Sequence, residues 1–90
     1  MSERSLYTIQ IKRSAEKEMD RLPQAPFTRI SRAIQSLETN PRPRNSTKLR
    51  GVEDYRLRVG DYRVLYVIDD GKRTVEVIAV GHRREVYRGL

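Results

Sequence analysis

Gly60-Asp61 stands between two runs of alternating residues, Tyr55-Arg56-Leu57-Arg58-Val59 and Tyr62-Arg63-Val64-Leu65-Tyr66-Val67-Ile68. A two-residue connection of this composition is a β-hairpin turn in which glycine supplies the positive φ of the first turn position. It fixes the register: Val59 faces Tyr62, Arg58 faces Arg63, Leu57 faces Val64, Arg56 faces Leu65 and Tyr55 faces Tyr66. Side chains alternate across a strand, so Tyr55, Leu57, Val59, Tyr62, Val64 and Tyr66 share one face while Arg56, Arg58 and Arg63 share the other. The first set is a core face. The second sets like charges side by side, which destabilises a sheet by a few tenths of a kcal/mol or more. Arginines clustered without acidic cross-strand partners therefore predict an external polyanion.

The rest of the chain supplies what must cover the core face. Leu6 to Ile11 alternates, with Tyr7, Ile9 and Ile11 on one side, and reads as a first strand that has to find a sheet edge. Ser14 is a candidate N-cap for a short helix whose apolar stripe is Ala15, Met19 and Leu22 before Pro23 ends it. Pro26 suits the first turn of a second helix with the stripe Phe27, Ile30, Ala33, Ile34 and Leu37, stopped by Asn40 before Pro41. So short a link predicts an antiparallel helical hairpin. Asn40 to Lys48 has no periodicity and many turn formers, and reads as a basic, solvated surface loop. After a turn at Asp69-Asp70-Gly71-Lys72, Thr74 to His82 forms the last strand, with Val75, Val77 and Ala79 on the core side. That parity leaves Leu65, Val67, Ile78 and Val80 as apolar patches on the basic face. The last ten residues form a tail or short helix. The expected fold is α+β: an N-terminal strand, a helical hairpin, a three-stranded antiparallel meander and a tail, in a single domain over residues 1–90.

Ninety residues suffice for one core and not for two. No apolar run approaches the ~20 residues of a membrane span. The N-terminus leads into a strand-like run without a secretory segment, so a cytoplasmic chain is expected. The absence of cysteine excludes disulfides and thiolate chemistry, and a lone histidine argues against a His-based metal site. No metal or cofactor is expected. The net charge of +7 calls for an anionic partner, and its distribution is uneven. Residues 1–40 hold seven Lys/Arg against five Asp/Glu, and residues 41–90 hold twelve against seven. The excess lies with the strands and their loops, not on an amphipathic helix of the membrane-surface kind.

Three stretches taken together, Lys48-Leu49-Arg50-Gly51, the hairpin from Tyr55 to Tyr66, and Val80-Gly81-His82-Arg83-Arg84-Glu85-Val86-Tyr87, resemble the RelE branch of the RelE/ParE toxins of toxin–antitoxin pairs. The likeness runs over nearly the whole chain. It implies a ribosome-dependent endoribonuclease that cleaves mRNA in the A site and so inhibits translation, held inactive by a cognate antitoxin. By resemblance, Arg63 and Arg83 bind the scissile phosphate and Tyr87 takes part in proton transfer or base stacking. Arg56 and Arg58 match positions that are lysines in the best-known branch, while Lys48 and Arg50 are candidates for contacts with ribosomal RNA. Arginine stabilises phosphate charge well but cannot act as a base near neutral pH. Tyr87 and His82 therefore remain as candidates for moving protons.

Plainer roles stand beside these. Arg63 has a possible salt bridge to Glu76 or Glu85, Tyr87 could anchor the tail by packing, and His82 could simply satisfy a hydrogen bond. The same fold also carries ParE-like toxins, which inhibit DNA gyrase by binding and perform no catalysis. A basic RNA-binding module without chemistry is the third reading.

Overall fold

The computed structural model describes residues 6–49 and 54–84. Five strands and two helices follow one another as β1 (Thr8–Ile11), α1 (Arg13–Asp20), α2 (Gln24–Ser36), β2 (Ser46–Lys48), β3 (Asp54–Val59), β4 (Tyr62–Asp69) and β5 (Thr74–His82). One sheet holds all the strands in the order β1-β5-β4-β3-β2. The hairpin register is the one the turn dictates, from Val59 opposite Tyr62 to Tyr55 opposite Tyr66. Gly60 has φ +61 and Asp61 does not share the positive sign, the signature of a type II′ turn. The position suits glycine doubly, because a Cβ there would come within 2.6 Å of Arg29 Nη2.

The helices cover one face. Ala15 and Met19 of α1 and Ile30, Ile34 and Leu37 at the end of α2 pack on Tyr55, Leu57, Val64, Tyr66, Ile68, Val75, Val77 and Val80. Full burial of side chains such as Ile30, Leu37 and Leu57 stabilises by about 1.5–3 kcal/mol each. Phe27, expected in this stripe, is 37% exposed, whereas Ile30 one turn later is fully buried. The stripe reaches the core only from the second turn. Nor does Ser14 cap α1. The Lys12 N–H still donates to Val77 O in continuation of the parallel β1–β5 ladder, so the helix starts at Arg13 with Lys12 as its N-cap and no side-chain cap.

Two departures from the expected sheet shape the opposite face. The stretch read as a loop contains β2, which pairs antiparallel with β3 and makes the meander four strands wide. Three polar residues carry too little pattern to announce a strand. The second departure is a β-bulge. Leu65 pairs with Ala79 while Tyr66 pairs with Val77, so Ile78 is an extra residue in β5. Side-chain parity flips there. Val80 faces Val64 and joins the core, Ala79 turns outward opposite Leu65, and the apolar patch expected on the basic face shrinks. Leu65 is itself fully buried, leaving Val67 and Ile78 half-buried.

The bulge lies beyond the end of β1, whose pairing with β5 stops at Ile11 and Val77. The Val80 N–H is there satisfied from α1, donating to Glu18 Oε1 at 2.8 Å. No helix among the described residues is long and apolar enough to cross a membrane.

A hydrogen bond to a charged acceptor at a half-buried position contributes about 1.5–3 kcal/mol. Glu18→Ala is therefore expected to lower the unfolding free energy by about that amount in urea denaturation, with Glu18→Gln recovering part of it. An alanine variant as stable as the parent would contradict the capping role.

Candidate functional site

Arg58 and Arg63 stand directly opposite each other on β3 and β4, with Asn45, just before β2, beyond Arg58 and Gly81 of β5 beyond Arg63. In the next row Thr47 faces Arg56, which faces Leu65. Just after β5 the Arg83 N–H donates to Asp61 O at 2.8 Å, which carries the β4–β5 pairing one step further and holds Arg83 beside the hairpin turn. The result is an open groove of about 560 Å³ lined by Arg44, Asn45, Thr47, Arg56, Arg58, Arg63, Arg83 and Arg84. Six of these eight carry guanidinium groups and none carries a carboxylate.

Arg63 is half-buried and fixed, its Nη1 donating to Gly60 O at 3.0 Å and Tyr62 O at 2.9 Å. A salt bridge from Arg63 to Glu76 does not form. Glu76 pairs with Val67, four residues along β4 from Arg63 and so about 13 Å away. Glu85 lies outside the described residues. So do Arg50 and Tyr87.

Arg56, Arg58, Arg63 and Arg83 thus come together as the sequence predicts, and His82 and Lys48 do not join them. The bulge places His82 opposite Tyr62, on the core-side face, where the two rings meet edge-on with centroids 5.8 Å apart. His82 Nδ1 accepts the Arg84 N–H at 3.2 Å. Its contribution is to the turn that carries Arg83 and Arg84. Lys48 pairs with Tyr55 and is likewise on the side away from the arginines.

Sequence reasoning missed Arg44, Asn45, Thr47 and Arg84. Asn45 is latched to β3 through both its backbone and its side chain. Its O accepts the Arg58 N–H at 3.1 Å and its Nδ2 donates to Arg58 O at 2.7 Å. For Arg44, Asn45 and Thr47 the available signal was the basic character of the 40–48 stretch, which solvated loops share, and for Arg84 it was its place beside Arg83 in the Val80–Tyr87 stretch.

That stretch is held down by a second polar cluster at the other end of the sheet. Arg42 donates from Nη1 and Nη2 to both oxygens of Asp70, at 3.2 and 2.8 Å, and from Nε to Tyr55 Oη at 2.9 Å. Tyr7 Oη adds a 2.6 Å bond to Asp70 Oδ1, and Tyr66 Oη donates to Pro41 O at 2.7 Å in the interior. The Arg42 and Tyr7 bonds hold the Asp70 carboxyl at a pKa of about 2. Tyr7 is pushed up by its bond to the same carboxylate, and burial pushes Tyr66 up.

Residues 9–87 match the family of the ParE toxin of type II toxin–antitoxin systems. Toxin RelE of Mycobacterium tuberculosis is 33% identical to this chain over 98% of its length and 93% of the relative's. Among solved structures, the archaeal RelE–RelB complex from Pyrococcus horikoshii OT3 superposes with a TM-score of 0.79 at 29% identity, covering 89% of this chain and 98% of that one. The RelBE2 toxin–antitoxin complex of M. tuberculosis gives 0.77 at 30% identity, covering 87% and 99%. The chain belongs to the RelE/ParE toxins of type II toxin–antitoxin systems, and within them to the RelE type. The matched family bears the ParE name, but the individual relatives and solved folds are RelE proteins, so the gyrase reading is not favoured.

The depressed pKa of Asp70 gives the fold an acid-sensitive clamp. With a folded value of about 2 against an ordinary 3.8, its contribution is complete above about pH 4 and is lost as the pH falls towards 2. Asp70→Asn should flatten the urea-midpoint profile across that window, with the two proteins converging at its lower end. The effect should shrink in high salt, because the two side chains are 40% and 55% exposed. Parallel profiles for parent and variant would contradict the assignment.

Proposed function

We propose that this RelE-type toxin is a ribosome-dependent endoribonuclease that cleaves mRNA in the A site. The observation that carries the reading is the meeting of Arg56, Arg58 and Arg63 from one sheet face with Arg83 from the chain beyond β5, in a groove whose lining among the described residues holds no carboxylate. In the proposed reaction the ribose 2′-oxygen forms a bond to the adjacent phosphorus and the bond to the 5′ oxygen breaks. The products are a 2′,3′-cyclic phosphate and a 5′-hydroxyl. The step needs the 2′ proton removed, the charge on five-coordinate phosphorus offset and the leaving oxygen protonated. Guanidinium groups supply the second requirement through paired donors that match phosphate oxygens.

Arg56 and Arg58 hold the positions that are lysines in the best-known branch, and arginine there keeps the field without serving as a base near neutral pH. With His82 turned towards Tyr62, Tyr87 remains, by resemblance, the candidate for moving protons. The groove residues among those described offer no group that exchanges a proton near neutral pH. Such a site depends heavily on the placement of its substrate, which supports a requirement for the ribosome to hold the codon.

The partner in the proposed regulation is a cognate antitoxin. The solved neighbours from P. horikoshii and M. tuberculosis are RelE–RelB type complexes, and an acidic segment would neutralise the same arginines.

Added to a cell-free translation reaction, the protein is expected to produce new 5′-hydroxyl mRNA ends at ribosome-occupied codons. Arg63→Ala should slow cleavage by about 10²–10³-fold while still unfolding cooperatively in urea. Tyr87→Phe should slow it by about 10²–10⁴-fold, whereas His82→Gln keeps most of the activity. Intact mRNA with the parent protein, or an Arg63→Ala variant within a few-fold of it, would overturn the reading.

A further inference from the structure

The groove contains more positive charge than one scissile phosphodiester can offset. A single diester carries one negative charge, and six guanidinium groups line the cavity. Four of them, Arg56, Arg58, Arg63 and Arg83, are accounted for by the reaction proposed above. Arg44 and Arg84 are not; Arg84 shares the turn of Arg83, whereas Arg44 comes from a separate stretch and its setting is unlike that of a free surface arginine. Two residues before it, Arg42 is anchored to Asp70 and Tyr55, and the Arg42 N–H donates to Asn40 Oδ1 at 3.1 Å. Immediately after it, Asn45 is latched to Arg58, and Pro43 O accepts both the Ser46 N–H at 2.9 Å and Ser46 Oγ at 2.7 Å. The backbone on both sides of Arg44 is therefore fixed. Its own side chain is exposed, lines the groove and makes no hydrogen bond or ion pair among the described residues.

A cation held on a clamped loop beside an anion groove, with nothing among the described residues to neutralise it, is preorganised for a ligand. The cross-strand row Asn45, Arg58, Arg63 sets successive groups about 4.8 Å apart, so Arg44 borders the end of the row away from Arg63. Thr47, opposite Arg56 on the same face, adds a hydroxyl donor there.

We propose that Arg44, supported by Thr47, forms a second phosphate subsite that takes the phosphate next to the scissile one. The substrate is then an extended single strand engaged through at least two consecutive phosphates. Asn45 acts as a positioning residue, since its amide N–H is committed to the Arg58 carbonyl. The inference rests on the reading of the groove as an RNA site.

The test uses the whole protein and two probes that cannot be cleaved for want of a 2′-hydroxyl: a 2′-deoxy dinucleotide with one phosphate and a 2′-deoxy tetranucleotide with three. Arg44→Gln is expected to weaken tetranucleotide binding about tenfold and to change dinucleotide binding less than about twofold. The slope of log affinity against log salt for the tetranucleotide should fall by about 0.7, the loss of one phosphate contact on a single strand. Arg44→Lys should restore most of both, and all variants should keep the parent's urea midpoint. Equal effects on the two probes, or none on either, overturn the subsite and leave the nuclease reading standing. Parent protein with no phosphate-dependent binding of either probe also overturns the subsite, while the nuclease reading stands or falls by the cell-free translation reaction. Weakened binding of a glutamate-rich peptide with no change for the tetranucleotide would assign Arg44 to an acidic protein partner and likewise overturn the proposal.

Discussion

Arg58 and Arg63 face one another across neighbouring strands, a placement that a sheet adopts only against its own electrostatics. What holds them there is the reverse side of the same two strands. Leu57 and Val64, each one residue away and paired with each other, are almost fully buried under the helices, so the backbone beneath the arginines cannot relax without opening the core. Period-two alternation thus turns core packing into rigidity of the charged face. The Gly60 and Tyr62 carbonyls offset part of the repulsion at Arg63, and the proposed RNA phosphate would offset the rest.

The other end of the sheet does a different job. An exposed ion pair such as Arg42–Asp70 contributes little alone, but here it is bidentate and shares its groups with Tyr7 and Tyr55. Tyr55 in turn stacks on Tyr66 with ring centroids 5.7 Å apart, and Tyr66 holds the Pro41 carbonyl. The effect is positional. A polar, proline-rich stretch that would otherwise be a loose connector is pinned at 40–42 and again at Asn45, and it reaches the groove with a defined course.

The arginine face and the hairpin register were legible because one turn, Gly60-Asp61, sets the parity of the ten residues paired around it from Tyr55 to Tyr66 without ambiguity. β5 gave no such guide. Val75-Glu76-Val77-Ile78-Ala79-Val80 is apolar on both sides of its midpoint, and a bulge at Ile78 costs nothing in hydrophobic pattern. Yet that one extra residue decides the site. It turns Val80 inward, puts Gly81 opposite Arg63 so that no β5 side chain stands beside it, and swings His82 to the Tyr62 side. Arg44, Asn45 and Thr47 were hidden for another reason. Their position depends on β2 pairing and on the Asn45 latch, both made by long-range partners that no local window contains.

The central claim is that Arg58, Arg63 and Arg83 act as one receptor for an RNA phosphate. The most direct measurement follows the Nε–Hε resonances of the arginines by NMR while a non-cleavable 2′-O-methyl trinucleotide is added. The account predicts that the three resonances move together and saturate with a single dissociation constant, while that of Arg32 on the exposed side of α2 stays in place. Uniform small shifts over all arginines, or a response that leaves Arg63 untouched, would contradict it.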